Sequence, residues 1–200
     1  MSTIEISNYY DSTENSATRE DLIFALDEVK GSKTAIDCGC GAGSDIAYLR
    51  SKDFTVYAFD IEKESISRCS ERFKDDDNVL LSTDSFSTFN YPDASLVVAD
   101  ASLFFCFEKD FESVWEKITN SLIKDGIFCG SFLGPKDTMA GPDYDKEAFW
   151  SDTLVMNEAK IREKLKSYEI LKWSEHDLSG ETSDGKPHHW HIFSLVARKI

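Results

Sequence analysis

The densest chemistry in this 200-residue chain lies in one short run, Ala35-Ile-Asp-Cys-Gly-Cys-Gly-Ala-Gly43. Gly39, Gly41 and Gly43 let a backbone turn tightly and approach a ligand without side-chain clash, with Cys40 carried in the same loop. Their spacing is G-x-G-x-G, and Ser44 stands where a G-x-G-x-x-G dinucleotide fingerprint places its last glycine. Asp37 precedes the loop. A carboxylate there opposes a pyrophosphate resting on the following helix N-terminus, but it suits a cationic ligand.

Further polar residues follow at regular intervals. Asp60 lies about 20 residues past the glycines, where an acidic side chain hydrogen-bonds ribose hydroxyls in doubly wound folds. Ile61 is placed to cover one face of a base, and Asp84 with Ser85 to meet its amino group. A cationic nucleoside of this kind is S-adenosylmethionine. Asp100 follows another apolar run, at a strand end where ligands of open sheets collect.

The remaining reactive side chains divide less cleanly. His188, His189 and His191 form a cluster, but on a strand only His189 and His191 share a face. That disfavours a three-histidine zinc site, and Cys38 with Cys40 has no second cysteine pair to complete a tetrahedral one, so no metal is expected. His189, His191 and Asp100 stay open as candidate bases. Tyr9, Tyr10, Phe104 and Trp150 are candidates for lining a substrate site.

The elements that position these residues follow from apolar spacing. Helices are expected over Asp21–Val29, Ser44–Lys52, Glu62–Phe73, Asp110–Ile123 and Asn157–Leu165. Strands are expected over Lys33–Cys38, Phe54–Phe59, Asn78–Leu81, Ala94–Ala99, Ile127–Leu133, Tyr168–Leu178 and Trp190–Arg198. Gly126 is expected to end the long helix in a left-handed conformation. The alternation predicts an α/β fold: a Rossmann-like, seven-stranded, mostly parallel sheet with helices on both faces. No linker divides the chain, so residues 1–200 read as a single domain. Residues 1–20 form an N-terminal cap segment, and 134–156 a loop able to act as a lid.

Together these segments resemble the class I S-adenosylmethionine-dependent methyltransferases. Ile36-Asp-Cys-Gly-Cys-Gly-Ala-Gly43 is similar to their first motif, Phe59-Asp60-Ile61 to the second, Thr83-Asp84-Ser85 to the third. Ser121 to Gly126 resembles the stretch before their fifth strand, and Trp190 to Lys199 their antiparallel last strand. Within the family, Phe132 to Asp137 and His189 to Lys199 look most like small tellurite-resistance-like bacterial members. The resemblance implies methyl transfer to a small-molecule acceptor by in-line displacement. Two other readings stand beside it: a non-catalytic S-adenosylmethionine-binding module, and an NAD-dependent oxidoreductase, which the loop spacing fits badly.

Composition narrows the partners. Against 22 basic residues stand 37 acidic ones, for a net charge of −15. Such a chain repels phosphate backbones and anionic lipid, so neither nucleic acid nor membrane is expected as a partner. Met1–Ser16 lacks a basic start and an apolar core, and the cysteines read as reduced thiols. Both point to a cytoplasmic location.

Overall fold

In the computed structural model, residues 3–142, 144, 153–182 and 185–200 are described. A seven-stranded sheet has the order β3-β2-β1-β4-β5-β7-β6. Its strands are β1 (Thr34–Cys38), β2 (Thr55–Asp60), β3 (Val79–Thr83), β4 (Ala94–Ala99), β5 (Leu122–Leu133), β6 (Tyr168–Glu181) and β7 (Pro187–Lys199). The pairs from β3 through β5 are parallel, and β7 runs antiparallel between β5 and β6. The helices are α1 (Thr3–Thr13), α2 (Glu20–Glu28), α3 (Ser44–Ser51), α4 (Lys63–Arg72), α5 (Glu108–Ser121) and α6 (Glu158–Lys164).

Period-two alternation along buried strands sorts their side chains into two cores. Ile36, Cys38, Val97, Ala99, Phe128 and Phe132 face α5 and α6, meeting Phe111, Trp115, Ile118 and Ile161 in a core rich in aromatic rings. Ala35, Leu96, Val98, Ile127 and Cys129 face the other way, onto Leu22 and Ala25 of α2 and Ile46 and Leu49 of α3. Helices therefore cover both faces, as the alternation requires. The strand order reverses between β1 and β4. The carboxyl ends of those two strands form the crevice in which ligands of such sheets bind.

Three local readings need correction. Residues 3–13 are helical, so Tyr9 and Tyr10 belong to α1 and do not precede the first helix. The left-handed residue after α5 is Asp125, with φ of 62°, not Gly126. Gly126 is needed for space instead, since a Cβ there would lie 2.9 Å from the Ile123 carbonyl oxygen. The last two strands also run further than their apolar residues suggest, forming a long hairpin.

That hairpin contains a register shift between Ile170 and Lys172. Beyond it, Ser174 pairs with Ser194, His176 with Ile192 and Leu178 with Trp190. The extra residue matters because a one-residue slip exchanges the two faces of a strand. It puts Ser174, His176 and Leu178 on the same face as Ser194, Ile192 and Trp190.

Candidate active site

The glycine loop is built by backbone conformation first. Gly39, Gly41 and Gly43 have φ of 75°, 51° and 79°, where an L side chain is strained. Their surroundings differ. A Cβ on Gly39 would lie 2.7 Å from Ser102 Cβ, and one on Gly43 would lie 2.9 Å from Cys69 Sγ. A Cβ on Gly41 would have only Tyr10 Cε1 near it, at 4.0 Å. Gly39 and Gly43 thus secure packing against the β4 end and α4, while Gly41 leaves its surface open.

Asp60 ties this loop to the end of β2. The Gly41 amide donates to its Oδ2 at 2.9 Å, and the Glu62 amide donates to its Oδ1 at 2.9 Å. Burial raises its pKa against the lowering effect of these donors. Asp37 has no such help. It is 3% exposed, and its Oδ2 is buried without a hydrogen-bond partner. Burial, reinforced by Asp45, Cys69 and Asp60, pushes its carboxyl well above the usual range, with Arg19 acting the other way. An orphaned carboxylate oxygen of this kind calls for a cationic or hydrogen-bond-donating ligand.

A cavity of about 1530 Å³ runs from this loop to the β6–β7 hairpin. Gly39, Gly41, Asp60, Ile61, Asp84 and Ser85 line one end, with Tyr9, Tyr10 and Arg19 above them. Ile61 is 60% exposed on that wall, an apolar surface available to a flat ring. Asp84 accepts a hydrogen bond from Thr88 Oγ1 at 2.9 Å, which fixes the turn after β3. Phe104 lines the middle, and His176, His188 and Trp190 the hairpin end. Single small-ligand pockets run to roughly 1,000 Å³, so this cavity has room for two ligands side by side.

Residues 36–130 match the family model described as Methyltransferase domain. Residues 36–130 are thus a methyltransferase domain. Solved structures show the same fold across nearly the whole chain. TehB from Haemophilus influenzae superposes with a TM-score of 0.75 at 18% identity, covering 98% of this chain and 67% of that one. The 1,6-didemethyltoxoflavin-N1-methyltransferase of Burkholderia thailandensis, solved with 1,6-didemethyltoxoflavin and S-adenosylhomocysteine, gives 0.68 at 16% identity, over 98% and 86% of the two chains. The N-methyltransferase NodS from Bradyrhizobium japonicum WM9, in complex with S-adenosylhomocysteine, gives 0.66 at 14%, over 90% and 84%. Among curated proteins, none is a significant sequence match.

Within the methyltransferase site, several expected residues take other positions. Cys40 turns its thiol away from the cavity, to 3.8 Å from Ser65 Oγ, and its amide donates to the Phe59 carbonyl. Its contribution is the shape of the loop. Asp37 and Gly43 also stand behind the cavity wall rather than on it. Asp100 lines the cavity, but its carboxylate is ion-paired with Arg19, which leaves it badly placed as a base.

His189 and His191, expected as candidate bases, point to the opposite face of the hairpin. His189 Nε2 lies 2.9 Å from Asp177 Oδ1 and its Nδ1 lies 2.8 Å from Ser179 Oγ. His191 is buried. Its Nδ1 accepts from the Lys136 amide at 3.1 Å, and its Nε2 lies 2.9 Å from Glu175 Oε1. Both rings are occupied by structural bonds, as period-two geometry allows for either face of a strand. Glu175, Asp177 and His191 do gather within 4.8 Å. Lys136 already neutralises Asp177, and these bonds engage the other two groups.

Trp150 lies outside the described residues, as does part of the expected 134–156 loop. Its described start, Gly134 to the 3-10 turn Thr138–Ala140, is bolted to β7. Gly134 donates to the His191 carbonyl, and the His191 amide donates to Asp137 Oδ2 at 2.9 Å.

Arg19, His176 and His188 line the cavity without having been singled out as ligands. Arg19 is the first basic residue of the chain and follows an acidic, polar stretch, which was the available signal. For His176 the deciding feature is the register shift in β6, which no residue type announces, whereas His188 follows the alternation of β7 opposite His189 and His191. No helix among the described residues is long and apolar enough to cross a membrane.

Proposed function

We propose that this methyltransferase binds S-adenosylmethionine at the glycine-loop end of the cavity and transfers its methyl group to a small-molecule acceptor at the hairpin end. The observation that carries the reading is the unpartnered, buried Oδ2 of Asp37 beside a glycine loop tied to Asp60. Asp37, behind the loop, supplies negative potential that suits the ammonium and sulfonium charges of the methionine moiety. Asp60 meets the ribose hydroxyls, the surface of Gly41 admits the ligand closely, Ile61 covers the base and Asp84 with Ser85 meets its amino group. When bound, the cofactor supplies an activated methyl group on a positively charged sulfur.

The chain's own residues do the positioning. Tyr9 and Tyr10 of α1 and Phe104 exclude water around the reacting centre, and the sheet end holds the two ligands for in-line attack at about 3–3.5 Å. A small-molecule acceptor is supported by the size of the cavity and by the acidic composition, which disfavours a phosphate backbone. The test is incubation with methyl-labelled S-adenosylmethionine and a cytosolic metabolite extract. Label in the small-molecule fraction supports the reading. Label confined to added RNA or protein contradicts the acceptor class, and cofactor binding without transfer to any fraction favours a binding module.

A further inference from the structure

The hairpin end of the cavity pairs one imidazole with one buried carboxylate. His188 lines the cavity with a side chain 13% exposed, and its Nε2 lies 3.3 Å from Asp137 Oδ1, whose own side chain is 1% exposed. Nε2 is shut off from solvent and makes no hydrogen bond in this arrangement. Asp137 is itself held rigidly. Its Oδ1 accepts from the Met139 amide at 2.9 Å and its Oδ2 from the His191 amide at 2.9 Å. A carboxylate fixed by two backbone donors beside an imidazole is the arrangement that orients a general base: it sets the tautomer and offsets the charge formed on protonation. The Trp190 ring lies 4.8 Å from the His188 ring. Phe104 and Phe105, 4.7 Å apart and edge to face, line the same cavity. One aromatic ring beside the base and two more along the same cavity suit a flat aromatic acceptor.

We propose that His188, positioned by Asp137, is the general base for an aromatic hydroxyl acceptor of the phenol class. This rests on the reading given under Proposed function. With Nε2 protonated, the form that a carboxylate oxygen 3.3 Å away favours, the lone pair lies on Nδ1. The acceptor oxygen attacks the methyl carbon with an electron pair, forming the C–O bond. The S–CH₃ bond breaks and its electron pair stays on sulfur, so the sulfonium becomes the neutral thioether of S-adenosylhomocysteine. The hydroxyl proton passes to Nδ1, and the imidazolium is stabilised by the Asp137 carboxylate until solvent removes the proton. A thiolate acceptor would need none of this.

The test is ¹⁵N nuclear magnetic resonance of the histidine rings in the full chain, with S-adenosylhomocysteine added first and catechol as the phenolic probe. The expected result is a His188 ring protonated at Nε2 and bare at Nδ1, whose Nδ1 signal shifts when catechol enters the loaded protein. In Asp137→Asn the tautomer preference is lost while the backbone spectrum stays folded, a change that a purely structural aspartate would not produce. A ring protonated at Nδ1 overturns the proposal. So does a His188 signal unmoved by millimolar catechol when the Gly41 amide has already shifted with S-adenosylhomocysteine. A Gly41 amide unmoved by S-adenosylhomocysteine instead refutes the underlying cofactor reading, and the tautomer still decides the dyad.

Discussion

The Gly41 amide donates to Asp60 Oδ2 at 2.9 Å, joining the loop after β1 to the end of β2. A charge-assisted bond of this kind is about twice as strong as a neutral one. It makes this end of the cavity one rigid unit, in which an acidic group that lines the cavity also fixes the backbone of the glycine loop. Three predictions follow from this unit and from the hairpin that faces it.

The glycines separate packing from binding. Gly39→Ala places a Cβ 2.7 Å from Ser102 Cβ at a φ of 75°, so something must shift. The expected loss is about 2–4 kcal/mol of stability, seen as a fall in Tm. Gly41→Ala meets open space at a φ of 51° and folds with a smaller penalty, about 1–2 kcal/mol, yet it weakens S-adenosylhomocysteine binding at least tenfold. Thermal melts beside calorimetric titrations check both. Equal Tm values for the two variants would contradict the assignment.

Asp37 trades stability for binding. Its carboxyl pKa is raised in the folded protein, chiefly by burial. The native state therefore holds this proton more tightly than the unfolded chain does. The stability it contributes is fully present below the unfolded pKa and is lost as pH rises towards the folded one. Asp37→Asn should accordingly raise the Tm of the ligand-free protein at pH 8 relative to wild type, with a smaller difference at pH 4. The same variant should bind S-adenosylmethionine at least tenfold more weakly. A lower Tm at pH 8 would show that the carboxylate has a stabilising partner.

The hairpin histidines should divide by face. His191→Ala removes a buried ring that accepts from the Lys136 amide and bonds Glu175, and should cost about 2–4 kcal/mol in stability with little change in cofactor affinity. His189→Ala breaks bonds at a partly exposed site and should cost about 1 kcal/mol or less. Chemical denaturation with calorimetry checks both. Loss of methyl transfer in His189→Ala, with stability unchanged, would return that ring to the active site.

Much of the architecture is written in local patterns. Ile36 and Ala35, or Val97 and Leu96, show the alternation that assigns neighbours to opposite cores, and the glycine run marks the crevice beside β1. What escapes such reading is non-local. Either face of the last strand is a legitimate place for a histidine, and His188 shares its face with Trp190 and Ile192; the shift near Leu171 pairs His176 with Ile192 and so turns His176 to that same face. Arg19 gains its role only when the fold carries it to Asp100, 81 residues away. Asp125, not the adjacent glycine, takes the positive φ, while Gly126 serves to leave room for the Ile123 backbone.

The most direct test of the central claim is calorimetric titration of the protein with S-adenosylhomocysteine and with NADH, in wild type and in Asp60→Ala. Micromolar binding of S-adenosylhomocysteine, lost in Asp60→Ala and absent for NADH, is the predicted result. A folded wild-type protein that binds NADH, or that leaves S-adenosylhomocysteine unbound, would contradict the account.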